Sequence, residues 1–295
     1  PSGQVVDSRG VDVHLGEVNV TTDPVGVGDL ASAASWSGIT NFSKFRAYIA
    51  GGATGVRHVF IHGKTVTFTQ SGSNYISANG DGSTLVKSTS GPEAYTYTSP
   101  DGTVYYFIRR VAVFQPDWLT IRAHLLTVTQ PSGRKLTYNY KDVYDTQVCG
   151  HQCYDPTQIR VQSITSSDGY MLKASYAGAT YGANFNKLTG VQAINLSEDY
   201  CAPGADSCGS LTHSWPSQTF AESTSGGTTT QTITDPDSNV TTVETVSGVV
   251  TEVTPPANSG GNLEASYSGG KVDQVIVDGA TYDYSYSTSG STQTT

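Results

Sequence analysis

The chain has 295 residues, 36% hydrophobic and 14% charged, with 18 Tyr, 32 Gly and one Met. That composition disfavours helices and suits strands and turns, so an all-β fold is expected. A net charge of -9 without any Lys/Arg cluster repels a phosphate backbone and excludes nucleic acid as a partner.

No apolar run approaches the ~20 residues of a membrane helix, so no membrane span is expected. The N-terminal PSGQVVDSRG lacks the basic-then-apolar order of a signal peptide. Because the chain begins without Met and ends in STSGSTQTT just after a strand-like segment, it reads as a piece of a longer protein.

In chain order, one pattern recurs: a turn glycine followed by apolar or aromatic residues with a period of two, which places them on one strand face. In HGKTVTF, Val66 and Phe68 follow Gly63, and in YTSPDGTVYYF, Tyr105 and Phe107 follow Gly102. LTVTQPSGRKLTYNY reads as strand, turn and strand. Pro131 presets φ there, Gly133 accepts the positive φ of the turn, and Leu136, Tyr138 and Tyr140 share a face. SITSSDGYMLKASY repeats this with Gly169, Leu172, Ala174 and Tyr176, and VDGATYDYSY with Gly279, Tyr282, Tyr284 and Tyr286. TITDPDSNVTTVET has a DPDSN turn but no aromatic ladder, so it counts only as a doubtful copy. Spacings of 39, 31 and 36 residues between Gly63, Gly102, Gly133 and Gly169 are too irregular for a fixed solenoid rung. Inter-strand packing is the plain role of the tyrosines.

This series resembles the Rhs or YD-repeat proteins. The P-x-G-R turn and Y-x-Y strand of LTVTQPSGRKLTYNY look like a YD copy, although Lys141 stands where the family has Asp. VDVHLGEVNV, WSGITNFSKFRAYI, GKTVTFTQSGSNYISANGDGSTLV and YTSPDGTVYYF look like the successive opening strands of such a shell. IRVQSITSSDGYMLKASYA and VQAINLSEDYCAPGADSCGSLTHSWPSQTF are similar to a segment of bacterial members. The resemblance implies an extended, curved antiparallel sheet of successive hairpins, part of a spiral shell that encloses a C-terminal effector. Residues 1–295 are then one shell region, with opening strands over 1–60 and degenerate hairpins with cysteine-containing loops over 61–295. The partners implied are the remainder of the shell and the enclosed domain. The family's self-cleaving D-P-x-G-L type segment is absent, so a non-enzymatic scaffold, secreted or at the cell surface, is expected.

Competing chemistry is sparse. His58 and His62 sit at an even offset, which reads as a polar strand face, and no histidine pair has a metal-binding arrangement. CGHQC offers Cys149, His151 and Cys153 to zinc but lacks a fourth ligand. Asp117, Glu198, Asp199 and Glu222 are the carboxylates from which a glycosidase pair would come, with surface solvation the plainer reading. No helix follows a serine in a nucleophile elbow, and no glycine loop precedes a helix. No catalytic residue, metal or cofactor is assigned. The sequons at Asn19, Asn41, Asn195 and Asn239 are no more than a Ser/Thr-rich chain yields by chance.

The four cysteines form two tight pairs, Cys149 with Cys153 and Cys201 with Cys208, whose short Gly- and Pro-containing loops permit local disulfides. The resemblance places the second pair in a recurring family segment. The strand around Tyr282–Tyr286 carries little charge, so self-association through that edge is expected. The alternative to a shell is an extracellular adhesin, filament or carbohydrate-binding module. Exposed tyrosines or Trp36, Trp118 and Trp215 would then stack on a glycan, and aromatic residues grouped on a solvent-facing groove would mark that reading.

Overall fold

The computed structural model describes residues 7–9, 11–12, 17–18, 20–21, 24–31, 34–36, 40–42, 45–51, 55–62, 64–72, 74–110, 121–145, 158–257, 261–289 and 292–294. Among them the fold is all-β, with helical backbone confined to 3-10 turns such as Gly28–Leu30. The chain gathers into two compact units. One comprises Pro1–Val25, Ala33–Phe42 and Ser217–Thr295, the other Gly26–Ser32 and Ser43–Pro216.

The first unit opens with β1 (Val11–Asp12), β2 (Glu17–Val18), β3 (Val20–Thr21), β4 (Ala34–Trp36) and β5 (Thr40–Phe42). The second holds β6 (Ala47–Ala50), β7 (Val56–Ile61), β8 (Lys64–Ser71), β9 (Asn74–Ser77), β10 (Thr84–Lys87), β11 (Ala94–Thr98), β12 (Val104–Ile108), β13 (Ile121–Thr129), β14 (Lys135–Val143), β15 (Gln158–Ser166), β16 (Tyr170–Tyr176) and β17 (Leu188–Asn195). The first unit resumes with β18 (Ser217–Ser225), β19 (Thr228–Thr234), β20 (Val240–Val246), β21 (Val249–Thr254), β22 (Leu263–Ser268), β23 (Lys271–Val277), β24 (Ala280–Asp283), β25 (Ser287–Ser289) and β26 (Thr292–Thr294).

In the second unit each strand pairs antiparallel with the next, from β6 to β17. One further pairing changes the topology. The first half of β13 also pairs with β6, Ala123 opposite Ile49 and His124 opposite Tyr48, which closes β6–β13 into an eight-stranded ring. The last residues of β13 pair instead with β14, Thr127 opposite Thr137, so the ribbon leaves the ring there and continues through β17.

Eight strands enclose a space that side chains fill. Ile49, Val59, Phe68, Tyr95, Phe107 and Leu125 are completely buried. Phe68 meets Tyr97, and Tyr75 meets Tyr95, edge to face with centroids 5.9 and 6.2 Å apart. At one rim a polar chain replaces the aromatic packing. Arg57 Nε donates to Tyr95 Oη (3.1 Å), which donates to Glu93 Oε1 (2.6 Å), and Lys87 and Arg109 flank the Glu93 carboxylate at 3.6 and 3.8 Å.

In the first unit β18–β24 form a second meander with one buried face. Ile233, Val243, Val250, Val272 and Val275 point inward, and Thr, Ser and Glu occupy the opposite face, the alternation expected of a sheet wet on one side. Val11 and Val18, paired in the β1–β2 hairpin, are buried, and β2 lies against β21 and β23. Arg9 stacks 3.9 Å over the Tyr282 ring, and Tyr284 Oη donates to Asp7 Oδ2 at 2.7 Å.

The turn glycines have the backbone that their sequence context requires. Gly102 and Gly133 sit at φ +84° and +86°, and each donates its N–H to the carbonyl three residues earlier, Ser99 and Gln130. This is a type I turn ended by a left-handed residue. DPDSN makes the same turn without glycine: Ser238 takes φ +67° and donates to the Asp235 carbonyl, while the Asp235 carboxylate accepts from Asp237 N and Asn239 N. The copy without an aromatic ladder is therefore a hairpin of the same geometry.

Candidate functional site

A tyrosine-clamped bulge recurs along the ribbon. Opposite Tyr106/Phe107, Asn139/Tyr140 and Glu244/Thr245, the partner strand holds one extra residue, and a bulge of this kind leaves backbone groups outside the ladder. In each case a tyrosine on the following strand supplies the missing donor. Tyr140 Oη bonds the Leu125 carbonyl at 2.7 Å, Tyr176 Oη the Val161 carbonyl at 2.6 Å, and Tyr267 Oη the Val250 carbonyl at 2.7 Å. Burial raises the hydroxyl pKa of all three, that of Tyr267 to about 12, so they stay protonated donors.

Period-two reasoning found Tyr140 and Tyr176 but not the bulges that they serve. The available signal was an apolar pair three apart within one strand: Leu125 with Val128, Val161 with Ile164, Val250 with Val253. Strict alternation would put such pairs on opposite faces, and the extra residue returns them to one face.

The expected ladder positions lie as follows. Tyr138 and Phe107 are buried, and Leu172 and Ala174 lie on one buried face. Tyr105 packs on Tyr97 with centroids 5.5 Å apart. The Gly169 N–H closes its turn on the Ser166 carbonyl at 3.1 Å, and Gly279 has φ +78°. Pro131 lies against Gly102. Tyr282, Tyr284 and Tyr286 are half-buried, and β24 ends at Asp283.

The expected Cys201–Cys208 disulfide is present, with Cα atoms 5.2 Å apart. Its loop latches onto β14–β16. Ser163 Oγ donates to the Pro203 carbonyl (2.8 Å), Gln162 Nε2 to the Ala205 carbonyl (2.9 Å), and Lys173 Nζ to that same carbonyl and to the Gln162 carbonyl. Arg160 and Lys141 both hold the Asp206 carboxylate, at 3.0 and 2.6 Å. Arg160 also lies 4.1 Å over Tyr176 and 4.3 Å over Phe185. Burial, with the Arg160 and Lys141 charges adding, lowers the Lys173 ammonium to about 8 against the partial support of Asp206.

Asp199 organises the rest of the loop. It accepts from Thr212 Oγ1 (2.6 Å), Thr212 N (2.9 Å), His213 N (2.9 Å), His213 Nδ1 (3.1 Å) and Trp215 Nε1 (2.8 Å). The Thr212 hydroxyl leads the causes that hold its carboxyl well below the usual range. Trp215 packs with Leu196 and Leu211 against Met171, Ile194 and the disulfide. Glu222 is in the other unit, where it accepts from Gln231. His58 bonds Thr67 Oγ1 and His62 bonds Tyr138 Oη, each at 3.0 Å, so the two imidazoles serve separate partners. Asp117, Trp118, Cys149, His151 and Cys153 lie outside the described residues, as does the side chain of Trp36.

The second unit also carries an open groove where the end of β14 meets the β16–β17 connection. Its lining is Asp142, Val143, Tyr144, Asp145 and residues 179–182. Tyr144 and Tyr181 are 43% and 45% exposed. The nearby Asp145 charge raises the Tyr181 hydroxyl's pKa, Asp142 is paired with Arg110 at 2.6 Å, and Gly182 N donates to Gln158 Oε1 at 3.0 Å.

Among the described residues no helix is long and apolar enough to cross a membrane. No family model and no curated protein matches the sequence. One solved structure, described as "Crystal Structure of TcdB2-TccC3-Cdc42", contains a similar chain at 12% identity and a TM-score of 0.44. The match covers 85% of this chain, which spans about 16% of the length of the other. A likeness that loose assigns neither family nor activity.

Proposed function

We propose that this chain is a non-enzymatic structural scaffold, a length of YD-repeat-type ribbon that forms part of the wall around a C-terminal effector. The recurring clamped hairpin is the observation that carries this reading. At three separate bulges the same side chain satisfies the same kind of freed carbonyl, as a wall built by repetition requires. The sequence resemblance to YD-repeat shells supports it independently. Of the four acids weighed for catalysis, Asp199 and Glu222 take part in structural hydrogen bonds.

In this reading the partners are the remainder of the shell and the enclosed domain, and the protein is exported. The Cys201–Cys208 bridge fits an oxidising compartment. The test is to express the whole natural reading frame and image the product by electron microscopy with limited proteolysis. Hairpin ribbon continuing past residue 295 around a protease-protected C-terminal domain is the expected result. A reading frame that stops near Thr295, giving a solitary secreted protein, overturns it.

A further inference from the structure

The ladder tyrosines are buried or half-buried, whereas among the described residues only Tyr144, Tyr181 and Tyr200 are largely exposed. Two of these three line the same groove. An exposed aromatic ring leaves apolar surface in water, and two rings flanking one depression make a paired platform. The backbone beside Tyr181 is fixed, since the neighbouring Gly182 N–H is tied to Gln158 Oε1 at 3.0 Å. A platform set before binding reduces the ordering that a ligand must impose.

Tyrosine faces suit the C–H faces of pyranose rings, and carboxylate oxygens accept from sugar hydroxyls. Arg110 holds the Asp142 carboxylate, and it is the chain's net charge of -9 that disfavours acidic sugars. We infer that the groove of Tyr144, Tyr181, Asp142 and Asp145 binds a neutral glycan, with the two rings stacking on successive sugars and the carboxylates accepting from their hydroxyls. This site is independent of the scaffold reading, because a wall segment and a free-standing module can carry it equally.

Cellotetraose, maltotetraose and N-acetylchitotetraose are the probes, with a galacturonate tetramer as the acidic counterpart. Saturation-transfer NMR and calorimetry on the intact chain are expected to show at least one neutral probe bound at about 1 mM or tighter. Tyr144→Ala and Tyr181→Ala are each expected to weaken it by about tenfold. Tyr181→Phe, which keeps the ring, should retain most of the binding, and Tyr200→Ala, outside the groove, should change nothing. Unchanged thermal melts show that each variant is folded. Failure of all three neutral probes at ~10 mM overturns the inference, as do undiminished binding in the Tyr144→Ala/Tyr181→Ala double variant and equal binding of the galacturonate tetramer.

Discussion

The hydroxyls of Tyr140, Tyr176 and Tyr267 lie 15, 15 and 17 residues beyond the carbonyls that they satisfy. Removing one leaves a desolvated acceptor without a partner, so each Tyr→Phe change is expected to lower stability by ~1–2 kcal/mol in urea titrations. Tyr282→Phe, where the ring stacks on Arg9, should change it by less than ~0.5 kcal/mol. His124 gives the pH dependence. Burial, followed by the Arg110 charge, pushes its imidazole from 6.5 to about 4, and its Nδ1 has no hydrogen-bond partner among the described residues. Below ~6.5 the unfolded chain takes up a proton that the native state refuses, so stability is full above that pH and falls as pH drops towards ~4. The loss is about 3 kcal/mol, and urea midpoints measured across this range should show a smaller slope for His124→Gln.

Elements were legible where local chemistry decides them. A glycine at a position of positive φ and a period of two name the hairpins and their faces, which is why Gly102, Gly133 and Gly169 mark turns. What the pattern does not name is the neighbour. The pairing of β13 with β6 joins segments about 75 residues apart, and alternation specifies a face without specifying the strand beside it. The groove was illegible for the same reason, because Tyr144 and Tyr181 come from different connections. At DPDSN, the left-handed Ser238 is strained in a way that glycine is not, so Ser238→Gly is expected to raise stability by ~0.5–1 kcal/mol. Glu244 faces Glu252, which faces Glu264, across β20–β22. Glu252→Lys should therefore stabilise by ~0.5 kcal/mol, with the gain shrinking in 1 M salt. Reducing Cys201–Cys208 removes a short loop constraint of about 2.5 kcal/mol and frees the latch. Lys173 should then become open to acylation at pH 8, read by mass spectrometry, while it stays protected in the oxidised protein.

At the scale of the molecule, the two units are built differently. Residues 43–216 lie in one unbroken run within their unit, whereas the other unit draws on both ends of the chain. A fragment of residues 26–216 is expected to fold with its disulfide, and a fragment of residues 217–295 to stay unfolded until residues 1–42 are supplied in trans, as read by NMR dispersion. The closed ring also governs how the protein yields when it is threaded through a narrow pore by a motor. A plain meander unzips strand by strand, each step breaking one row of hydrogen bonds. At the ring, β6 cannot be drawn out without shearing its rows with β7 and β13 together, and β13 is gripped by β6, β12 and β14. Pulling from the N-terminal side of this unit therefore meets its largest resistance first, whereas pulling from the C-terminal side releases β17 to β14 in small steps and stalls only at β13.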